Sequence, residues 1–181
     1  MRILKWLIGL VVVAAVAFVA VGFMLPREVN VARSIDIDAP AKAVFVSLNS
    51  PKATTVWSPW MAKDPQQTVT FDGPESGVGA KMAWQSDNPS VGTGSSEITE
   101  STPFERIGVA LDFGEMGTAN AAYDLAETDG TTSVTWSFET DMGEGLVGRW
   151  MGLMMDRWVG ADFEAGLANL KQLVEDGGAQ G

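Results

Sequence analysis

The stretch VARSIDIDAPAKAVF, residues 31–45, decides the fold. In its first half the apolar residues Val31, Ile35 and Ile37 occupy every second position, which predicts a half-buried strand over about residues 28–37. In its second half Val44 and Phe45 begin a helical spacing, which predicts a helix over about residues 41–48. The chain therefore passes directly from a strand into a helix that presents its apolar face to a core.

Six further runs of alternating apolar residues follow, and turn residues separate them. They lie at about residues 69–71, 80–84, 92–99, 107–113, 119–125 and 134–138. Asp129-Gly130 between the last two runs is typical of a tight hairpin turn. Together with the first strand, these runs predict an antiparallel meander of about seven strands.

The last third of the chain has helical spacing. Apolar residues recur from Val147 to Trp158 and again from Phe163 to Val174. At about 100° per residue the second stripe lies nearly opposite the first, so one straight helix does not bury both in one core. We therefore predict a break or sharp kink at Gly160. Residues 177–181, GGAQG, are expected to form a disordered tail.

The first 26 residues form a separate segment. Residues 6–26, WLIGLVVVAAVAFVAVGFMLP, carry no charge, and about 20 helical residues span the ~30 Å hydrocarbon core of a bilayer. The alternative is a cleaved secretory signal, whose apolar region usually has about 7–15 residues before a small-x-small site. Ala15-Val16-Ala17 imitates such a site, but the apolar run continues beyond it. We predict a retained transmembrane anchor over residues 1–26.

Flanking charges say little about which side of the membrane the domain occupies. Arg2 and Lys5 precede the apolar run, whereas Arg27, Arg33 and Lys42 follow it, so the positive-inside rule does not decide. A short tail ahead of a translocated domain usually stays inside the cell. We therefore expect a single-pass protein whose domain lies on the extracytoplasmic side.

The chain of 181 residues is acidic, with 23 acidic and 12 basic residues and a net charge of −11. Arg2 and Lys5 are the only charged residues of the first 26, so the remainder carries ten basic and 23 acidic residues, a net charge of −13. Such a surface repels nucleic acid, and we expect no nucleic-acid partner. The simplest role of this charge is solubility.

The absence of histidine and cysteine limits the chemistry. It removes the commonest general base, the strongest neutral-pH nucleophile and zinc sites of the usual nitrogen and sulfur type. Without cysteine there are no structural disulfides, which fits either compartment. Catalysis would have to use a carboxylate, a lysine, an arginine or the single tyrosine. We therefore name no catalytic residue, no metal ligand and no cofactor.

Seven stretches between about residues 31 and 175 together resemble the SRPBCC superfamily of START-like lipid-binding domains. More narrowly, they resemble its bacterial polyketide cyclase/dehydrase-like branch, which carries an N-terminal membrane anchor. In order, they are VARSIDIDAPAKAVF, WSPW, GPESGVGAKMAW, VGTGSSEITESTPFERI, LDFG, TSVTWSF and GADFEAGLANLKQLV.

The resemblance implies an α+β helix-grip fold over residues 27–176. In this fold a curved antiparallel sheet of about seven strands grips the C-terminal helix, and an apolar cavity lies between them. One transmembrane helix precedes the domain. The resemblance does not imply a reaction, because the superfamily includes carriers, sensors, chaperone cofactors and enzymes.

Two tryptophans, Trp57 and Trp60, lie in the stretch VWSPWMAKDP, which we interpret as a loop too broken for a regular helix or strand. The resemblance places this loop at one end of the cavity. The rings then either line the mouth of the cavity or cap the core without meeting a ligand.

Two polar side chains, Arg33 and Tyr123, have inward parity on their strands. Either can orient a ligand carboxylate or carbonyl. Alternatively, Arg33 lies where its strand leaves the core, and Tyr123 reaches solvent or a backbone carbonyl. The stripe of Trp150, Met154 and Trp158 is likewise either a pocket wall or plain core. The full set of expected cavity-lining residues is Arg33, Trp57, Trp60, Met82, Trp84, Val109, Leu111, Phe113, Tyr123, Trp136, Phe138, Trp150, Met154 and Trp158.

We therefore predict a membrane-tethered domain that binds a hydrophobic small molecule or lipid. One alternative is a cyclase or dehydratase that uses the same cavity. The other is a protein-interaction module whose core is filled and whose acidic face contacts a partner. A cavity large enough for a ligand counts against the interaction module.

Overall fold

The computed structural model describes residues 2–178 of the chain. It begins with the apolar helix α1 (Arg2–Met24), from which residues 25–27 lead into strand β1 (Glu28–Ile37). Three helices follow: α2 (Ala41–Leu48), α3 (Pro51–Trp57) and α4 (Pro59–Lys63). The helix predicted over residues 41–48 is confirmed by α2.

Six more strands complete one antiparallel sheet, in the order β1-β7-β6-β5-β4-β3-β2. Asp129 and Gly130 both adopt positive φ angles of 52° and 84° at the hairpin between β6 and β7, the backbone that such a tight turn requires. The prediction of a seven-stranded antiparallel sheet is confirmed, and the fold is α+β of the helix-grip type. The strands after the helices are β2 (Thr68–Asp72), β3 (Lys81–Gln85), β4 (Thr93–Thr102), β5 (Arg106–Asp112), β6 (Thr118–Thr128) and β7 (Thr131–Asp141).

The tryptophan segment differs from the predicted loop, because most of it is helical: it contains the end of α3 and the whole of α4. Pro51 and Pro59 each stand at the start of a helix. At that position the missing N–H of proline has no intrahelical partner to lose, and its fixed φ angle suits the first turn. The prolines therefore start α3 and α4, whereas we had interpreted the segment as a loop.

The predicted break at Gly160 is wrong. Helix α5 (Leu146–Gly178) runs for 33 residues through this position. A Cβ at Gly160 would lie 2.1 Å from Nη2 of Arg33 on β1, so the glycine allows the helix to approach that side chain closely. Gly177 and Gly178, placed in the disordered tail by the sequence, are the last residues of α5, and residues 179–181 lie outside the described part of the chain.

One helix accommodates both apolar stripes because they contact different partners. Phe163, Leu167 and Leu170 of the second stripe are buried in the core. Most of the first stripe is outside that core, although Met155 packs against it. Trp150 stacks on Phe18 of α1, with ring centroids 4.5 Å apart, and Trp158 is exposed. The two stripes therefore need no break in the helix, since a single core does not have to cover both.

Helix α1 is the one helix of the described residues that is long and apolar enough to cross a membrane. The apolar part of this helix, the 20 residues Lys5–Met24, is almost entirely exposed. Length and composition are shared by membrane spans and signal sequences, so they do not separate the two.

Candidate functional site

A cavity of about 320 Å³ lies between the sheet and the helices. Strands β2 to β7 form its floor, and α2, α3, α4 and α5 contribute residues on the helix side. Its volume is at the lower end of the range of small-molecule sites, about 300–1,000 Å³. The space under the helices is therefore not completely filled by side chains.

Nine of the fourteen residues expected at the cavity border it. They share inward parity on the sheet, except Trp60, which α4 supplies. The alternation of a half-buried strand directs these side chains to one face. The nine are Trp60, Met82, Trp84, Val109, Leu111, Phe113, Tyr123, Trp136 and Phe138.

Trp136 is at the centre of an aromatic cluster on one wall of the cavity. Its ring stacks on Phe163 of α5, with centroids 3.8 Å apart and planes 7° from parallel. The rings of Trp57, Trp60 and Tyr123 surround it at centroid distances of 5.5, 5.8 and 5.1 Å. This wall is therefore rigid, because each ring is held by others.

The indole N–H of Trp136 is buried and has no hydrogen-bond partner among the described residues. A buried donor without an acceptor costs about 1–3 kcal/mol of stability. The edge-to-face rings of Trp57 and Trp60 adjoin Trp136 and provide an aromatic rather than a polar environment. This donor is therefore part of the packed wall.

Tyr123 is the only titratable group among the 24 described residues that line the cavity. Burial raises the pKa of its phenol well above the ordinary value, because the interior penalises the phenolate. The phenol therefore stays neutral around pH 7. It can donate or accept a hydrogen bond, but it is not a general base at that pH.

Five of the expected residues do not border the cavity. Trp57 lies behind the wall: it is buried, and its Nε1 donates to the carbonyl oxygen of Ser47 at 3.0 Å. This is the core-cap position that we considered as its alternative. Trp150 packs on α1, whereas Met154 and Trp158 are exposed on the outer side of α5.

Arg33 is the fifth expected residue that does not border the cavity. Its side chain extends towards α5, as its parity predicts, but it pairs with carboxylates on that helix. Its Nε donates to Glu164 at 2.8 Å and its Nη1 to Asp156 at 2.9 Å. The pairing raises the pKa of Arg33 and lowers that of Asp156, because hydrogen bonds between the charged forms favour both. The guanidinium thus joins β1 to α5 and is absent from the cavity lining.

Several cavity residues were missed by the sequence analysis. Phe163 and Val159 come from α5, where we had placed the cavity wall on the earlier stripe. Phe163 was identifiable as part of the second stripe, but its contact with the cavity depends on the continuity of α5. The other missed residues come from helices α2 to α4, from strands β2, β4 and β6, and from the turns: Leu48, Pro51, Thr54, Ser58, Met61, Gln67, Val69, Ser90, Val91, Ser96, Ile98, Met116 and Ala121.

The outer end of the cavity is marked by its most exposed lining residue. Met116, in the 3-10 turn Gly114–Met116 after β5, is 76% exposed. Half-buried Val91 from the β3–β4 turn and Met61 from α4 also line the cavity. These apolar side chains therefore contribute to an apolar rim at this end of the cavity.

Comparison with known proteins gives a consistent result. The model of the family described as "Polyketide cyclase / dehydrase and lipid transport" matches residues 28–175. No curated protein matches the chain in sequence.

Solved structures with the same fold have little sequence in common with this chain. A protein from Chromobacterium violaceum is 17% identical with a TM-score of 0.58, covering 81% of this chain and 97% of its own. The Aha1 dimer from Colwellia psychrerythraea gives 17%, a TM-score of 0.55 and coverage of 81% and 96%.

The di-domain ARO/CYC StfQ of the steffimycin biosynthetic pathway is 11% identical to this chain, with a TM-score of 0.63. The match covers 84% of this chain and 52% of StfQ, so this chain corresponds to about half of that protein. These similarities concern the fold. The sheet, the long helix, the cavity between them and the match over residues 28–175 lead to one conclusion: the chain belongs to the polyketide cyclase / dehydrase and lipid transport family.

Proposed function

We propose that this protein binds a hydrophobic small molecule or lipid in the cavity and that α1 tethers it to a membrane. The observation that carries the proposal is the composition of the cavity lining: none of the 24 described lining residues is an acid, a lysine or an arginine. A ligand with a charged group buried inside the cavity would have no partner for that group there. An uncharged apolar ligand would exchange water for aromatic and aliphatic side chains.

The cavity also argues against a filled interaction module, because a module of that kind needs no space under its helices. The rigid aromatic wall around Trp136 suits binding without large rearrangement, since ordering costs are already met in the free protein. Tyr123 adds a buried hydrogen-bonding group to this uncharged lining, and hydroxyl and amide groups come from Thr54, Ser58, Gln67, Ser90 and Ser96. Such a lining fits a mainly apolar ligand that carries a few carbonyl or hydroxyl oxygens.

The test is native mass spectrometry of the full chain for a co-purified ligand, followed by a thermal-shift screen. The screen covers fatty acids, isoprenoids, sterol-like and aromatic polyketide-like compounds. A ligand that binds only the folded state adds about 2.7 kcal/mol at a hundredfold excess over Kd. For a domain of this size the melting temperature should rise by roughly 5–10 °C.

A matched pair of variants tests whether any shift arises in the cavity. Ala121 on β6 lines the cavity, whereas Ala83 on β3 is exposed on the other face. Ala121→Leu should reduce or abolish the thermal shift, because the added methyl groups occupy cavity volume. Ala83→Leu should retain it. The proposal fails if no compound class shifts the melting temperature, or if both variants respond like the parent protein.

A cyclase or dehydratase acting in the same cavity is the second candidate, and Tyr123 is the observation that favours it. A neutral buried phenol can hold a substrate carbonyl by a hydrogen bond while the substrate adopts a reactive conformation. Tyr123→Phe distinguishes the candidates once a ligand is known. Turnover should fall with binding retained if the protein is an enzyme, and no turnover should be detectable in the parent protein if it is a carrier.

We also propose that α1 is retained and that the domain lies on the extracytoplasmic side. The chain has no cysteine, so one introduced at exposed Phe104 is the only site for a membrane-impermeant maleimide. Labelling of Phe104→Cys in intact cells is expected. Labelling only after lysis would place the domain in the cytoplasm. A mature N-terminus near residue 18 would show that α1 is a cleaved signal.

A further inference from the structure

The first three turns of α5 carry an apolar surface that no described part of the domain covers. Val147, Met151, Met154 and Trp158, which we call the outer stripe, are 73%, 44%, 47% and 47% exposed. Their spacing of four, three and four residues places them on one face of the helix. Of the twelve exposed large apolar residues described after α1, five lie within residues 147–158. An apolar surface concentrated in this way indicates an interaction site.

The same turns of α5 are attached to α1. Trp150 stacks on Phe18, and a Cβ at Gly22 would lie 2.4 Å from Cδ1 of Leu146, so the two helices are in close contact. Nη1 of Arg149 donates to the carbonyl oxygens of Phe23 and Leu25, both at 2.8 Å. These are carbonyls at the C-terminal end of α1, which lack partners within their own helix.

The contact fixes the level of α5 relative to α1. Phe18 precedes Leu25 by seven residues, which corresponds to about 10 Å along a helix axis. Trp150 therefore contacts α1 about 10 Å inward from the end of the apolar segment. Helices that lie in a membrane interface bury their apolar face about 5–10 Å into the boundary between headgroups and acyl chains. The start of α5 is thus at the depth of an interfacial helix.

The charges of residues 146–158 also suit a lipid surface. This segment of a strongly acidic chain contains two arginines, Arg149 and Arg157, and a single acid, Asp156. Asp156 is neutralised by Arg33 on the sheet side of the helix. Trp158 at the end of the outer stripe is a residue type enriched at membrane interfaces.

We propose that residues 146–158 lie in the interface of the bilayer that holds α1, with the outer stripe in contact with acyl chains. This inference rests on the proposed anchoring of α1. Val159, the next residue, lines the cavity, so the segment connects the lipid surface directly to the cavity wall. A membrane lipid or a molecule dissolved in the bilayer is then the ligand source closest to the site.

The absence of native cysteine permits a direct test with the full chain. The variant Met154→Cys, labelled with an environment-sensitive fluorophore, is reconstituted into phosphatidylcholine vesicles with either ordinary or brominated acyl chains. Val46→Cys on α2, where the residue is 64% exposed, is the matched control, and Val12→Cys within α1 reports on the anchor. Brominated acyl chains should lower the fluorescence about twofold at positions 154 and 12, because these lie at the depth of an interfacial and of a spanning helix, respectively. The fluorescence at position 46 should be unchanged.

The outcomes separate the two proposals. Quenching at position 12 without quenching at position 154 leaves the anchor in place and overturns the interfacial position of α5. No quenching at position 12 means that α1 is not in the bilayer, and both proposals fail. If the signal at position 154 responds to the protein-to-lipid ratio but not to bromine, a second copy of the chain covers the outer stripe, and the lipid contact is excluded.

Discussion

Replacing Trp136 and Trp84 by alanine should have clearly different costs, because both rings border the cavity but only that of Trp136 is packed against other rings on most sides. Trp136 is 4% exposed and contacts four other rings, so Trp136→Ala should cost about 3–5 kcal/mol. Trp84 is only half-buried and has a single described ring neighbour, Phe113, at 6.0 Å. Trp84→Ala enlarges a space that already exists, so we expect a smaller cost of about 1–2 kcal/mol.

These costs convert into readable shifts in melting temperature. At about 2–4 °C per kcal/mol, Trp136→Ala should lower the melting temperature by roughly 6–20 °C and Trp84→Ala by roughly 2–8 °C. Far-ultraviolet circular dichroism of the full chain in one detergent measures both variants without relying on tryptophan emission. An equal or larger loss for Trp84→Ala would mean that side chains fill the space beside it, and the reasoning about the cavity would be refuted.

Three other outcomes are expected. Tyr123 is the only tyrosine, so the ultraviolet absorbance of tyrosinate reports on this residue alone. The folded protein should show no tyrosinate near pH 10, where a free phenol is about half ionised. A normal titration would place Tyr123 in contact with water. Because Arg33 lowers the pKa of Asp156, their pairing stabilises the folded protein at pH values above the unfolded pKa of about 3.9. The parent protein should therefore melt at a higher temperature than Asp156→Asn, by a constant difference above about pH 5. That difference should disappear as the pH falls below about 4. Gly166→Ala should destabilise the fold despite a gain of about 1 kcal/mol in helix propensity, since its Cβ would lie 2.9 Å from the ring of Trp136. Gly177→Ala has open space around it and should not destabilise the fold. Equal melting temperatures for the two variants would contradict this packing.

The sheet was predictable because each of its strands has a buried and an exposed face. A period of two in the sequence directly reports that asymmetry, and it also identified the side chains of the cavity floor. The first stripe of α5 was misinterpreted because periodicity reveals an apolar face without revealing what covers it. Trp150 is covered by Phe18, more than 130 residues away in sequence, and no local pattern encodes that contact.

Arg33 shows the same limit for a polar residue. Its parity correctly indicated a side chain directed towards the helix layer. Its partners, Asp156 and Glu164, lie 123 and 131 residues farther along the chain, and their proximity depends on the continuity of α5 through Gly160. Pro59 was misinterpreted for a local reason: a proline can end one helix or start the next, and the surrounding turns decide which.

The connection between α1 and β1 determines how far the domain can move. Only residues 25–27 separate the two elements, and such a segment extends to about 11 Å at most. Even this length is not free, because Arg27 pairs with Asp141 and Glu144, and its carbonyl oxygen accepts from the amide of Met142. With α1 in a bilayer, this short connection would keep the domain near the membrane surface, so it could not carry a ligand across a wide compartment. Under the proposed anchoring, the domain would stay at the surface of its own membrane, and passing a bound ligand farther would require a separate mobile acceptor that comes to that surface.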